Sequence, residues 1–302
     1  MNRPNSIDRL RRSMHFVPGA NEKMLHKSIA TKADSLILDL EDAVTPDRKG
    51  EARSIINNWL GSVDFNGKER CVRINSLDTP WALHDIETTM QNAPDAYVVP
   101  KVSSLDELMF ISNAISRCEK KFGHPSMSVA LILVSMETPK GALQVSTFTE
   151  CERVVAMTWG AEDLATSLGA QTNRGPDNRY LPPFEYCRTM TLLSAVAGGV
   201  QPIDTVYVDF NDPEGLKQEC QFAAKMGFTG KLTIHPSQID MVNAAFSPSA
   251  AELEEARRLI EAFAEAEAEG RIAFSFKGKM VDVPHLNRAR KMVERASLFE
   301  ID

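Results

Sequence analysis

The sequence has no long apolar run, no paired cysteine motif and none of three common cofactor motifs. Its longest apolar stretches, such as 129–134, are too short to cross a bilayer. The first twelve residues are polar and arginine-rich with no apolar segment behind them, which is unlike a secretory signal. The patterns GxGxxG, GxxxxGK[ST] and HExxH are absent. We therefore expect no membrane partner and neither a Rossmann, a P-loop nor a zincin site.

Cysteine is sparse, with five residues that are scattered and never spaced as CxxC. This usage favours reduced thiols over a disulfide framework or a zinc site. We therefore expect a cytoplasmic protein, or a mitochondrial matrix protein if a longer precursor exists.

Positive charge is also in deficit, because 34 Lys and Arg stand against 41 Asp and Glu, giving a net charge of −7. That balance argues against a general binder of nucleic acid or of anionic membranes. It leaves room for a local basic pocket that holds a small anion. The length of 302 residues, 43% of them apolar, is ordinary for a globular chain of one large domain or two.

Short apolar runs alternate with longer amphipathic segments along most of the chain. The runs are continuous and rich in Val, Ile and Leu, as strands buried on both faces are. The predicted strands are 14–17, 35–38, 70–74, 96–99, 129–134, 154–157, 205–208 and 231–234. Eight strands separated by helices predict an α/β fold with a parallel sheet, and eight is the number in a (β/α)₈ TIM barrel.

Helix boundaries are marked by capping residues. Ser104 with Glu107 predicts a helix start, and Gly123 predicts its end. Asp212 before a proline predicts another start, with Gly227 at the end of that helix.

The pattern changes after the eighth strand. Ser249 opens a long Ala- and Glu-rich helix, and a last helix begins at about His285. We expect a barrel domain over 1–247 and a C-terminal helical extension over 248–302. The extension exceeds what a minimal barrel needs, which indicates packing or an oligomer contact.

Charged or polar side chains follow seven of the eight predicted strands. In a parallel barrel the carboxyl ends of the strands meet around one pit, where catalytic groups lie. A single charge after a strand is usually a solvated loop residue, but seven such strands favour a site. The residues are Asp39, Glu41, Asp42, Arg73, Asn75, Lys101, Glu137, Glu162, Asp163, Asp209 and His235.

Two of these carboxylates suggest a metal site. Glu137 and Asp163 have no Cys or His nearby in the sequence and present hard oxygen ligands, which suit Mg²⁺, with Mn²⁺ as a possible substitute. Arg73 and Lys101 would face an anionic substrate that bridges to the metal, and the arginine fork suits a carboxylate. An ion-pair network without metal is the alternative interpretation.

Linear motifs add a resemblance to a known family. Over about residues 12–297 the chain resembles the citrate lyase β-subunit-like proteins of the HpcH/HpaI aldolase superfamily, which include malyl-CoA and citramalyl-CoA lyases. The matching motifs are FVPG at 16–19, DLEDAV at 39–44, VRIN at 72–75, ET at 137–138, WGAEDL at 159–164, IHPSQ at 234–238 and MVD at 280–282.

The resemblance implies a TIM barrel that binds Mg²⁺ through Glu137 and Asp163. It implies that Arg73 contacts the acyl oxygens of the substrate. Glu41 and Asp42 match acidic residues that line the metal site, and we group them with Arg73 as catalytic candidates.

The resemblance also implies a second group of residues. In CoA lyases of this family a C-terminal segment of a neighbouring subunit covers the site and supplies an acid/base carboxylate, which maps onto Asp282. A homotrimer or hexamer is therefore expected, with the extension as lid. Lys27 matches a position that contacts CoA phosphates. Phe16, Pro18 and His235 lie in the matching motifs and are assigned to the substrate and CoA pocket.

The expected activity is reversible cleavage of a short 3-hydroxyacyl-CoA into acetyl-CoA, or propionyl-CoA, and a 2-oxoacid such as glyoxylate or pyruvate. Three alternatives stay open: a malyl-CoA thioesterase, a citrate lyase β subunit that acts on an acyl-carrier thioester, and a non-catalytic paralogue that binds CoA esters. The segment 171–183 is unlike the usual members, and it is either a variable loop or a determinant of acyl specificity.

Overall fold

The computed structural model describes residues 9–19 and 21–298. Eight parallel strands form a closed barrel in chain order, so the predicted (β/α)₈ barrel is confirmed. The strands are β1 Ser13–Pro18, β2 Ser35–Asp39, β3 Glu69–Arg73, β4 Ala96–Val99, β5 Ala130–Val134, β6 Val154–Thr158, β7 Gln201–Asp204 and β8 Gly230–Thr233.

Helices connect the strands and continue after the barrel. They are α1 Glu22–Ile29, α2 Lys49–Ser62, α3 Ala82–Thr89, α4 Leu105–Phe122, α5 Pro139–Gln144, α6 Ala161–Leu168, α7 Pro182–Ala197, α8 Pro213–Met226, α9 Ile239–Ala245, α10 Ala250–Ala268 and α11 Val283–Ser297. In the part of the chain that the structure describes, no helix combines the length and apolar character that a membrane crossing requires.

Seven of the predicted strands agree with the structure to within a residue at each end, but the prediction of a strand at 205–208 is wrong. The strand is Gln201–Asp204, and the segment after it has no regular structure, so Asp209 does not follow a strand end. The observed strand contains Pro202 and ends in the carboxylate of Asp204. Proline and a charged residue both argue against a buried strand when only the sequence is considered. Asp204 is nevertheless fully buried, because cationic side chains surround it.

The continuous apolar runs arise because each strand is buried on both faces. Register partners such as Ile37, Cys71 and Ala96 belong to one apolar cluster, which fills the barrel interior. Their chain neighbours, such as Leu36 and Val72, belong to a second cluster that also contains helix residues. A packed interior is the rule in barrels of this size, and it leaves the ends of the strands as the place for a cavity.

The predicted helix caps are confirmed. Ser104 accepts a hydrogen bond from the Glu107 N–H, and α4 ends at Gly123 with φ +76°. Asp212 accepts from the Gly215 N–H at the start of α8, and Gly227 ends that helix with φ +115°. The side chains that cap helix starts therefore fix where the strand-to-helix loops of the barrel end.

The described residues divide into two compact units between Asn243 and Ala244, whereas the sequence predicted a boundary between 247 and 248. Within the second unit, α10 and α11 accompany a two-stranded hairpin of β9 Phe274–Phe276 and β10 Lys279–Val281. Asp282 is the N-cap of α11, and its Oδ1 lies 2.6 Å from Nδ1 of His285. A role for this unit as lid and oligomer contact stays a prediction.

The seam between β8 and β1 depends on close backbone approach at Gly230. A Cβ at Gly230 would lie only 1.8 Å from the carbonyl oxygen of Arg11, so the strands would have to move apart. We expect Gly230→Ala to lower the free energy of unfolding by about 1–3 kcal/mol, as overpacking does. Gly50→Ala is the matched control, because nothing lies near that helical position. It should raise stability by about 0.4–1 kcal/mol. Urea unfolding measures both, and an unperturbed Gly230→Ala would contradict the close approach.

Candidate active site

A cavity of about 430 Å³ lies at the carboxyl ends of the barrel strands, where active sites of this fold are found. All strands but β4 contribute lining residues, directly or through the loop that follows. The lining residues are Phe16, Pro18, Asp39, Asp42, Ala43, Arg73, Val134, Glu137, Trp159, Gly160, Ala161, Glu162, Asp163, Thr205, Val206, Leu232 and Ile234.

Arg73 is fixed by the carboxylate of Asp39, its register partner on the neighbouring strand. Its Nε and Nη2 donate to the two oxygens of Asp39, each at 2.7 Å. Its third nitrogen, Nη1, lies 3.0 Å from Oε2 of Glu41 and 3.5 Å from Oδ2 of Asp42. The ring of Phe16 covers the guanidinium at 4.7 Å. The orientation of Arg73 is therefore set before any ligand arrives, and sequence reasoning did not single out Asp39 as the residue that sets it.

Lys101 brings a second cation among the same carboxylates. Its Nζ lies 2.6 Å from Oε1 of Glu41, 3.3 Å from Oδ1 of Asp163 and 4.0 Å from Oδ1 of Asp42. Burial opposes the charged form, but the hydrogen bond and charge of Glu41 outweigh it and raise the pKa of Lys101. The residue therefore stays protonated at neutral pH.

Glu137 is a buried carboxyl group of the cavity. Its Oε2 accepts the backbone N–H of Lys101 at 2.6 Å, and the absence of a Cβ at Gly160 makes room for Oε1. Burial raises its pKa well above the usual range, and the charges of Asp163 and Glu41 raise it further.

The side chains of Lys49 and Asp39 hold the backbone of the loop that follows β2 and carries Glu41. Lys49 donates from Nζ to the carbonyl oxygens of Leu40 and Glu41, each at 2.7 Å. Asp39 accepts the backbone N–H of Glu41 at 2.9 Å. Burial raises the pKa of Glu41 against the opposing charge of Arg73. The acidic loop is thus shaped by contacts that leave the Glu41 side chain directed to the two cations.

The donor chemistry of this cluster fits a hard divalent cation. The described residues contain no group of three His, Cys, Asp or Glu side chains arranged around one metal position. Glu137 and Asp163 nevertheless supply hard oxygens, and the buried Oε2 of Glu41 has only an ion pair with Nη1 of Arg73 at 3.0 Å and no hydrogen bond among the described residues. One or two carboxylates suit Mg²⁺, which keeps several waters. The alternative ion-pair network is also real, because Lys101 bridges Glu41 and Asp163.

The remaining predicted site residues lie in three places. Phe16 and Pro18 line the cavity. Lys27 and His235 are exposed and do not belong to its lining; the His235 ring stacks on Phe210 at 5.2 Å. Asp282 lies in the second unit. The roles assigned to all five stay predictions.

Sequence reasoning missed the residues behind Trp159. The indole Nε1 donates to Oδ1 of Asp204 at 2.9 Å, and Asp204 also pairs with Arg188 and Lys231 at 2.8 and 3.0 Å. Burial disfavours this carboxylate, but the charges of Lys231 and Arg188 prevail and lower its pKa to about 2. The signal that points to such a partner is Trp159 itself, because a buried indole N–H needs an acceptor.

Comparison with known proteins agrees with this geometry. The family model for HpcH/HpaI aldolase/citrate lyase matches residues 12–236, so the chain belongs to that family. The resemblance seen in the motifs is therefore confirmed.

Three curated relatives share 36% identity with the chain. They are the citrate lyase subunit beta of Haemophilus influenzae (289 residues, 95% of this chain and 97% of the relative), the (3S)-malyl-CoA thioesterase of Cereibacter sphaeroides (288 residues, 94% of each) and the mitochondrial citramalyl-CoA lyase of Rattus norvegicus (301 residues, 95% and 86%). Relatives at the same identity therefore carry different activities.

A solved structure is similar over nearly the whole chain. It is the CitE protein of Mycobacterium tuberculosis in complex with magnesium, acetoacetate and coenzyme A. It is 33% identical, covers 96% of this chain and 99% of its own, and superposes with a TM-score of 0.78.

The raised pKa of Glu137 predicts a pH dependence of stability in the cation-free protein. A folded-state pKa above the usual 4.5 means that this group stabilises fully below pH 4.5 and loses that stabilisation as pH rises through the folded pKa. Glu137→Gln removes the loss, so its stability relative to the wild type should increase with pH, by at most about 1.4 kcal/mol per pH unit. Urea unfolding between about pH 5 and 8 with a chelator measures this difference. Glu87→Gln, at an exposed position, is the control. Parallel pH profiles for wild type and Glu137→Gln would contradict the prediction.

Proposed function

We propose that this protein is a Mg²⁺-dependent carbon–carbon lyase. It reversibly cleaves a short 3-hydroxyacyl-CoA, such as malyl-CoA or citramalyl-CoA, into acetyl-CoA or propionyl-CoA and glyoxylate or pyruvate. The observation that carries the proposal is the presence of Glu137, Asp163 and the fixed cation Arg73 in one cavity, with the ammonium group of Lys101 3.3 Å from Asp163. A relative named citramalyl-CoA lyase and a similar structure that holds magnesium, acetoacetate and coenzyme A support it.

Glu137 and Asp163 would hold the metal ion. When bound, the ion supplies Lewis-acid polarisation of the substrate oxygen that becomes the ketone of the 2-oxoacid. Lys101 lies against Asp163, so it is placed to meet the carboxylate of the same substrate portion.

Arg73 would stabilise the charge that develops on the other product. When the carbon–carbon bond breaks, its electron pair moves into the thioester and forms an enolate. Asp39 holds Arg73 through two hydrogen bonds, so the guanidinium needs no reorganisation at that moment. Preorganised donors of this kind are worth about 3–4 kcal/mol in other enzymes.

Two carboxylates would move the protons. Glu41, whose pKa is raised by burial, is suited to accept the proton of the substrate hydroxyl. Asp282 of a second copy would deliver a proton to the enolate carbon. A homotrimer or hexamer provides that copy, and closing the site with the extension would exclude water until substrate is bound.

One experiment separates the candidate activities. The protein is incubated with Mg²⁺, acetyl-CoA or propionyl-CoA and a panel of 2-oxoacids, and the products are identified by mass. A condensed 3-hydroxyacyl-CoA supports the lyase. In the cleavage direction a free-thiol assay detects CoA, which a thioesterase such as the Cereibacter sphaeroides relative releases and a lyase does not. Release of CoA alone, or no product with any substrate, would contradict the proposal.

Two substitutions should separate metal binding from proton transfer. Glu137→Ala should abolish metal-dependent turnover, since it removes a proposed ligand. Asp282→Asn should keep CoA-ester binding but slow cleavage by about 10²–10⁴-fold, the range for a general acid or base. Steady-state kinetics with calorimetric binding of the CoA ester measure both effects. Glu261→Gln, on an exposed face of α10, controls for lost charge on the extension. Full activity of Asp282→Asn would exclude its proposed role.

Lys101 should limit metal affinity because its ammonium group lies among the carboxylates that would attract the ion. Lys101→Met keeps the backbone N–H that holds Glu137 but removes the competing charge. We expect Mg²⁺ to bind roughly tenfold more tightly or better. Binding of the 2-oxoacid should weaken in the same variant. Isothermal titration measures both, with Lys225→Met in the last turn of α8 as control. Unchanged or weaker Mg²⁺ binding would contradict the competition.

A further inference from the structure

An exposed carboxylate–imidazole pair lies at the start of α11 in the second unit. Oδ1 of Asp282 lies 2.6 Å from Nδ1 of His285, three residues further along the chain. Both side chains are open to solvent, because 51% of Asp282 and 40% of His285 are exposed. A substrate held by a second copy of the chain can therefore reach the carboxylate while the imidazole stays in place.

Buried neighbours fix the backbone on either side of this pair. Val281 precedes Asp282 and Leu286 follows His285, and both apolar residues belong to the buried cluster of the second unit. Pro284 lies between the two members of the pair, and its ring restricts the backbone there. The packing of the unit therefore fixes the two backbone positions relative to each other, and the side chains meet without further ordering of the chain.

The carboxylates of the neighbouring helix α10 have partners of their own. The imidazole lines a groove of about 370 Å³ between α10 and α11, whose charged residues include Glu252, Glu255 and Arg288. Glu252 accepts a hydrogen bond from the hydroxyl of Ser249 at 2.7 Å, and Glu255 pairs with Lys277 at 2.9 Å. The short contact of His285 is thus made with Asp282 and not with α10.

A proton must lie between Oδ1 and Nδ1, because two bare lone pairs 2.6 Å apart would repel each other. Imidazole is a stronger base than an exposed carboxylate, so the proton belongs to the ring and Nδ1 donates. The amide nitrogen of Asp282 lies 3.3 Å from the same Nδ1, a longer contact in which Nδ1 would have to accept. The contact to the charged oxygen is the stronger one. Oδ1 is therefore occupied, and Oδ2 is the oxygen left to carry a further proton.

We propose that His285 is a positioning residue, which fixes Asp282 so that Oδ2 exchanges a proton with the carbon next to the CoA thioester. The inference rests on the proposed function for the role of Asp282. In the cleavage direction the O–H bond at Oδ2 breaks, the C=C electron pair of the enolate forms the new C–H bond, and the thioester carbonyl is restored. The carboxylate left behind keeps the hydrogen bond from Nδ1 and regains a proton from solvent. Condensation reverses these steps.

The test compares His285→Leu with His285→Asn. Leucine removes the donor, whereas the side-chain amide of asparagine keeps an N–H close to the position of Nδ1. We expect His285→Leu to lower kcat at least about tenfold with an unchanged KM for the CoA thioester, since a hydrogen bond to a charged group is worth that much or more. His285→Asn should restore most of kcat. Leucine is the better helix former, so a role in helix stability alone predicts the opposite order.

Asn287→Leu, at an exposed position of the same helix, is the matched control and should keep the wild-type kcat. If His285→Leu does not fold in a thermal unfolding scan, His285→Ala replaces it. A folded variant without the donor that keeps the wild-type kcat overturns the proposal, and so does an asparagine variant as slow as the leucine variant.

A double-mutant cycle tests whether His285 acts through Asp282. In Asp282→Asn the residual cleavage no longer uses the carboxylate, so adding His285→Leu should lower kcat by less than about twofold. An equal loss in both backgrounds would show that His285 acts elsewhere and would overturn the proposal.

¹⁵N NMR of the imidazole reads the hydrogen bond without turnover. We expect a proton on Nδ1 of His285 in the wild type, and ring signals that change in Asp282→Ala, which lacks the acceptor. A wild-type ring whose only proton lies on Nε2 overturns the proposal. A wild type that turns over no substrate contradicts the lyase and removes the positioning role with it. An active wild type with an unaffected leucine variant contradicts the positioning role alone.

Discussion

The arrangement of side chains at the carboxyl ends of the barrel strands depends on the compensation of the negative charge gathered there. Closing eight parallel strands brings Asp39, Glu41, Asp42, Glu137 and Asp163 to one place, with Arg73 and Lys101 as the cations that pair with them. Two unit charges 4 Å apart near a protein surface interact by about 4 kcal/mol, so five carboxyl groups around two cations cannot all be ionised at low cost. Protons or a further cation must complete the balance. The raised pKa of Glu137 and Glu41 expresses the first solution, and the proposed metal ion supplies the second.

The charge cluster behind Trp159 has the opposite character. Asp204 and Glu219 are matched by Arg174, Arg188 and Lys231, and every one of these side chains has a partner within 3.0 Å. The pKa of Asp204 is lowered, whereas that of Glu137 is raised, although both groups are buried. Burial is therefore not what distinguishes them; the balance of neighbouring charge is. Carboxylates whose charge is fully compensated suit a rigid support, and carboxylates with too few cations suit the binding of an ion or a change of protonation state.

The sequence alone was enough to predict the barrel. Strands buried on both faces appear in the sequence as continuous apolar runs, and capping residues mark the helices between them. It failed at β7, where proline and a buried carboxylate replace the apolar signal and where distant cations from α7 and β8 make burial possible. The charged residues after the strands were visible, but the Arg73–Asp39 pair was not, since it follows from the register of β2 against β3. The left-handed backbone of Lys101 and the hairpin that places Tyr180 behind Trp159 likewise arise only from tertiary contacts.

Lys101 contacts Glu137 through its backbone, and it contacts Glu41 and Asp163 through its side chain. Its backbone, at φ +53°, is in a region that costs a non-glycine residue about 1 kcal/mol or more, and there its amide holds Glu137 while its side chain reaches Glu41 and Asp163. The amide is present whatever side chain the position carries, proline excepted. The position of the Glu137 carboxylate and the net charge around it therefore depend on different parts of residue 101 and can change independently. A substitution at position 101 can therefore change the charge beside Glu41 and Asp163 while the carboxylate of Glu137 keeps its position.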